Sequence, residues 1–154
     1  MFLYTLSEAL TRAKVSFAIV GGYAVALHGA VRGTVDIDIV LALSRKQFSA
    51  AEAALRSLGL EPRLPVTAFE VFDFREEYIK NRNLIAWSFF DPKNATNVVD
   101  IIITHDLRKL RIKKISSGGH ALPVLALEDL VALKTASGRP QDLEDIRALK
   151  ELNS

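Results

Sequence analysis

Residues 17–40 read FAIVGGYAVALHGAVRGTVDIDIV, and this stretch decides the fold. Phe17 to Val20 is a short apolar run with β-branched residues, a strand pattern that Gly21-Gly22 interrupts. Tyr23 to His28 is rich in Ala and Leu, and Gly29 sits where a helix commonly ends on a left-handed residue. A second strand is predicted over Val35 to Val40. Successive strand residues point to opposite faces, so Asp36 and Asp38 are expected to project together while Ile37 and Ile39 enter a core.

Two carboxylates side by side are expensive. At roughly 5 Å and an effective dielectric of about 20 they repel by about 3 kcal/mol, a large share of a domain's stability. Water must screen such a pair or a cation must sit between its members. An oxygen-only donor set suits Mg²⁺ or Mn²⁺, and Mg²⁺ commonly shares one or two carboxylates with substrate phosphates. The glycine pair supplies a complementary element, because bare N–H groups at the start of a helix can receive phosphate.

Working outward, Val98-Val99-Asp100-Ile101-Ile102-Ile103 is a further strand, apolar except for Asp100. A lone acid in a run otherwise fit for a central strand calls for a partner or a cation. The order Gly-Gly, short helix, Arg32-x-Thr34-x-Asp36-x-Asp38, then a later strand acid resembles the nucleotidyltransferase superfamily of DNA polymerase beta. More narrowly it is similar to small bacterial nucleotidyltransferases grouped with abortive-infection-type toxins. The resemblance extends over nearly the whole chain, since Leu130 to Leu152 is similar to the C-terminal helices of those proteins. One departure is Tyr23, which follows the glycines where many relatives carry a phosphate-binding serine. Contact with a triphosphate must then be made differently or be weaker.

The resemblance implies an α/β (α+β) fold: a mixed, mostly antiparallel sheet flanked by helices, with a helical pair at the C-terminal end. It implies one domain over 1–154, with its core at 15–104 and C-terminal helices at 127–153. It also implies a Mg²⁺-dependent transferase that moves a nucleoside monophosphate from an NTP to a hydroxyl acceptor, the 3′ end of a tRNA or a protein side chain, in a toxin-antitoxin setting. Asp36, Asp38 and Asp100 would be the metal-binding catalytic acids. Gly21, Gly22, Arg32 and Lys134 would meet the phosphates, and Thr34 would orient the acidic strand. His28, Arg139, Asp142 and Asp145 are left without an assigned role. Lys134 and Asp142 resemble a lysine and acid that relatives place near the nucleotide, and an interhelical ion pair explains them equally well.

Composition bounds the answer. The chain has 154 residues, 49% apolar and 25% charged, enough for one core. It has no cysteine, which excludes disulfides and thiolate metal sites. Glu8, Arg12 and Lys14 break up the first apolar residues, and no run approaches a membrane span, so a cytoplasmic location is expected. A net charge of +2 does not by itself imply nucleic acid.

The remaining segments are supporting structure. Helices are predicted over Leu3 to Lys14, with a cap at Thr5 or Ser7, and from Ser44 to Gly59. Phe69 to Phe74 and Leu84 to Phe90 are expected as strands joined by the polar stretch 75–83, with a turn at Asp91-Pro92-Lys93-Asn94. Arg108, Lys109, Arg111, Lys113 and Lys114 form a basic patch that suits phosphates or plain solvent. Arg111 to Ile115 and Ala121 to Val124 are expected as a strand pair. Gly138 ends the first C-terminal helix and Pro140 opens the second.

A rival of another class is a catalytically silent module of the same fold that binds a partner, as an antitoxin or regulatory subunit. Tyr23, the small size and the lack of a second substrate domain motivate it. An aminoglycoside-modifying transferase would need an acidic drug pocket, which the sequence does not display.

Overall fold

The computed structural model describes residues 1–152. The last residue of the expected helix 127–153 lies outside the described residues. The elements run α1 (Phe2–Arg12), β1 (Phe17–Val20), α2 (Gly21–Leu27), β2 (Ile37–Leu41), α3 (Arg45–Ser57), β3 (Glu61–Pro62), α4 (Ala68–Asp73), α5 (Arg75–Arg82), β4 (Ala86–Asp91), β5 (Asn94–Ile102), β6 (Ile112–Ser117), β7 (His120–Leu125), α6 (Leu127–Ser137) and α7 (Pro140–Leu152). The sheet order is β3-β4-β5-β2-β1-β7-β6. β2 is parallel to β5 and β1 to β7, and the other neighbours are antiparallel, so the sheet is mixed and mostly antiparallel as expected.

One face of the sheet carries the core. Ile19, Ile37, Ile39, Trp87, Phe89, Val99 and Ile101 are fully buried, and Leu6 and Leu10 of α1 and Phe48 and Leu55 of α3 are buried with them. The Phe48 and Trp87 rings stack at 5.9 Å, which fixes α3 on β4. At about 25 cal/mol per Å² of apolar surface, this burial supplies the main drive for folding. No helix among the described residues is long and apolar enough to cross a membrane.

Four expectations need correction. Phe69–Phe74 is not a strand: Ala68 and Val71 are buried at helical spacing, and Thr67 and Glu70 form a capping box that starts α4. The stretch 75–83 is not a loop but α5, ended by Asn83 in the left-handed region. β2 begins at Ile37, not Val35, so Asp36 lies in the preceding loop. The reason is topological: β1 gives way to α2 at Gly21, so residues before Asp38 find no partner on that side. At α1, neither Thr5 nor Ser7 caps the helix; Met1 holds the cap position, and Thr5 donates back to its carbonyl.

Candidate active site

The second face of the sheet holds a row of side chains. Val20 pairs with Asp38 in the β1–β2 ladder, and Asp38 pairs with Asp100 in the parallel β2–β5 ladder. Residues opposite each other in a ladder share a face, so the two carboxylates stand together. Burial, then the charge and hydrogen bond of Asp100, then the charge of Asp36, push the Asp38 carboxyl up to about 7, and the positive charge of Lys134 offsets this only in part. Sequence reasoning thus paired the right strands. Asp36 is exposed and belongs to the loop before β2 rather than to the strand, and its charge still reaches Asp38.

The glycines act by their lack of side chain. Gly21 has φ +67°, and a Cβ built there would stand 2.1 Å from Asp38 Oδ2, so both backbone and space demand glycine. A Cβ on Gly22 would stand 2.8 Å from that of Thr34. Thr34 therefore packs on the glycine turn, and its hydroxyl donates to the Asp36 carbonyl at 3.4 Å. Thr34 thus links the glycine turn to the loop that carries Asp36.

The expected phosphate cations are organised by two acids. Lys134, Asp142 and Asp145 are 7%, 2% and 2% exposed. Lys134 Nζ donates to Asp145 at 2.9 Å and Asp142 at 3.5 Å; Arg32 Nε donates to Asp145 at 2.9 Å, and Arg139 Nε to Asp142 at 2.9 Å. Gln141 adds a bond to Asp145. Burial works against ionisation of Asp142, but the bonds from Arg139 and Ser137 outweigh it and hold its carboxyl at about 2. Asp145 is likewise held below its ordinary value, burial being overcome by Lys134, Arg32 and Gln141. Three cations share two carboxylates, so one positive charge is left over toward Asp38.

His28 does not point to nucleotide chemistry, since its Nε2 lies 2.8 Å from the Leu125 carbonyl and ties α2 to β7. In the basic patch Arg108 pairs with Asp106, and Arg111 with Glu128 and Asp129.

Between this ionic network and the sheet lies a cleft of about 320 Å³, whose lining includes the polar Asp38, Lys134 and Arg139 beside Gly21 and the apolar Ile85, Ile102, Leu130 and Leu133. Its size is at the lower end for a small-molecule site. Thr104 and His105 also line it, and neither was singled out from the sequence. Burial, then the Arg75 charge, lowers the His105 pKa, which favours the neutral ring.

Among the described residues no group of three or more His, Asp or Glu side chains is gathered tightly enough to hold a metal ion by itself. The donor chemistry of the Asp38–Asp100 pair nevertheless fits a hard divalent cation, because burial and like charge leave the pair short of positive charge. Asp36 would have to swing in from its loop to complete the set.

The same pair makes stability depend on pH. A carboxyl raised in the folded state favours folding while protonated, and that contribution is lost as pH rises from about 4 through about 7. Asp38→Asn should remove this dependence and stabilise the metal-free protein at pH 8 by about 1–2 kcal/mol, the upper limit from linkage being about 4. Thermal melts at pH 5 and pH 8 check this, and an equal destabilisation at both would contradict it.

An antiparallel-rich sheet with a glycine turn at one strand end and acids on the two neighbouring strands defines a nucleotidyltransferase fold. The chain belongs to the family described as nucleotidyltransferase of unknown function (DUF6036), whose model matches residues 3–153. No curated protein sequence matches it. Among solved structures, it is similar to ANT(2")-Ia in complex with adenylyl-2"-tobramycin, with TM-score 0.64 and 12% identity over 99% of this chain and 88% of that one. A Thermotoga maritima protein assigned to the nucleotidyltransferases gives 0.63 and 19% over 99% and 91%. The lincosamide antibiotic adenylyltransferase LnuA, bound to lincomycin, gives 0.62 and 15% over 96% and 94%. At these identities the structures establish the fold, and the family assigns the chain to the nucleotidyltransferases.

Proposed function

We propose that this protein is a Mg²⁺- or Mn²⁺-dependent cytoplasmic enzyme that transfers a nucleoside monophosphate from an NTP to a hydroxyl acceptor. The observation that carries this reading is the Asp38–Asp100 pair beside Gly21, with Asp38 lining a cleft that Lys134 and Arg139 also line. Asp38 and Asp100, joined by Asp36, would hold the cation, which supplies charge neutralisation at the phosphates and a more acidic attacking hydroxyl.

The chain's own residues do the rest. The backbone N–H groups of Gly21 and Gly22 would meet the phosphates, since the side-chain space at the two glycines is taken by Asp38 and Thr34. Lys134 and Arg139 of the ionic network line the same space, Arg32 supports it through Asp145, and the apolar walls of the cleft suit a nucleobase. The acceptor O–H proton passes to the acidic pair, an oxygen–phosphorus bond forms at the α-phosphorus, and pyrophosphate leaves with the electron pair of the broken bond. The acceptors we favour are a tRNA 3′ end or a protein hydroxyl, with a cognate toxin or antitoxin as partner.

Incubation with labelled NTPs, Mg²⁺ and candidate acceptors tests the assignment. Label should move to an acceptor with release of pyrophosphate, and the double substitution Asp36→Ala, Asp38→Ala should abolish it. Undiminished transfer by that variant would refute the reading.

A further inference from the structure

The row of site residues does not stop at Asp100. Asp100 pairs with Ser88 in the β4–β5 ladder, and the backbone N–H of Arg63, just past β3, donates to the Ser88 carbonyl at 2.9 Å. Asp38, Asp100, Ser88 and Arg63 therefore run in line across four adjacent chain segments on one face of the sheet. The opposite face of β4 is sealed, with Trp87 and Phe89 fully buried, whereas Ser88 and Phe90 are only half buried and Arg63 is exposed.

Among the described residues neither the Ser88 hydroxyl nor the Arg63 guanidinium has a side-chain hydrogen-bond or ion-pair partner. The Arg63 guanidinium carbon sits 5.6 Å from the centre of the Phe90 ring. Glu61 shares this face one pleat along, yet forms no ion pair with Arg63. An arginine at a sheet edge also discourages strand pairing, a role that needs no ligand. What sets Arg63 apart is its alignment with the acids.

The cleft with Lys134 and Arg139 runs from Gly21 and Asp38 past Ile102 to Ile85, and neither Ser88 nor Arg63 lines it. In an in-line displacement the attacking and leaving oxygens flank the phosphorus. A nucleotide in the cleft leaves Ser88 and Arg63, outside its lining, to the second substrate. We propose that Ser88 and Arg63 form the acceptor subsite, taking a hydroxyl compound that carries an anionic group within reach of the long Arg63 side chain, whose backbone lies two strand spacings, about 10 Å, from that of Asp100. The hydroxyl lies over Asp100 and Ser88, and a phosphate is the anion best suited to the planar fork of Arg63. A polycationic aminoglycoside would meet an unneutralised guanidinium there. The inference rests on the transferase reading above and narrows its acceptor.

The experiment offers the protein, with Mg²⁺ and labelled NTP, four acceptors: glycerol, glycerol 3-phosphate, a short single-stranded oligoribonucleotide with a free 3′-hydroxyl, and tobramycin. Label is expected on one or both phosphate-bearing acceptors, and which of the two is used separates a small phosphorylated substrate from nucleic acid. Arg63→Gln should raise the acceptor KM about tenfold or more with little change in the NTP KM, and Arg63→Lys should recover part of the loss. Preference for glycerol or tobramycin, no transfer to either phosphate-bearing acceptor, or an unchanged acceptor KM in Arg63→Gln would overturn the subsite. Calorimetry on the same preparation keeps the two readings apart. Absent NTP binding sinks the transferase assignment itself, whereas intact NTP binding with any of those results removes only the subsite.

Discussion

Asp100→Asn should reduce nucleotidyl transfer on the order of 10³-fold while leaving the melting temperature unchanged or higher. On the proposed reading the loss follows from removing one of the two abutting carboxylates that would hold the charge-neutralising cation, and deletion of one such electrostatic contact typically costs factors of 10² to 10³. The unaltered stability follows from the same contact. The Asp100 charge and hydrogen bond rank directly after burial among the causes that raise the Asp38 carboxyl, so an isosteric amide relieves repulsion instead of creating a void. Pyrophosphate release and a thermal melt on one preparation test both halves. A variant that keeps more than about a tenth of the activity would remove Asp100 from the chemistry.

Lys134→Met is expected to act on folding. It withdraws the ammonium from between Asp142 and Asp145, both almost wholly buried. Breaking a buried ion pair from one side costs about 3–5 kcal/mol, because a charge is left without compensation. Arg32 and Arg139 still contact the two acids, so the lower end applies, and Tm should fall by roughly 6–12 °C. Denaturant titration measures the difference directly. Adding Asp145→Asn to Lys134→Met should recover part of it, since the orphaned charge is then removed. Strictly additive losses would mean that the two side chains do not act as a pair.

The network also has a pH signature. Asp142 and Asp145 are held below their ordinary values in the folded state, so the stability they contribute is complete above about pH 4 and is lost as pH falls. Asp38 runs the other way, losing its contribution as pH rises toward about 7. The metal-free protein should therefore be most stable on the acid side of neutrality.

Much of this molecule was legible in the sequence because its signals are local. The apolar run before Gly21-Gly22, the alternation around Asp38, the lone acid in Val98 to Ile103 and the Gly138/Pro140 pair each reflect backbone preferences acting within a few residues. Residues 61–83 were misread because β3 is only two residues long, and because a strand-like density of aromatics hid the Thr67–Glu70 capping box. Alternation marked Asp36 and Asp38 as one pair. Only the end of β1 determined that Asp36 would lie off the strand.

What the sequence by itself determined is the inventory: Asp38 and Asp100 on two strands, a glycine pair ending a third, and two C-terminal helices. Tertiary structure alone decided that Asp38 stands opposite Asp100, that Lys134 is shared between Asp142 and Asp145, and that Ser88 and Arg63 extend the row. Those neighbours are brought together by strand order and helix packing across dozens of residues. The free energy that selects them resides in burying the whole sheet face, which no short stretch of chain encodes.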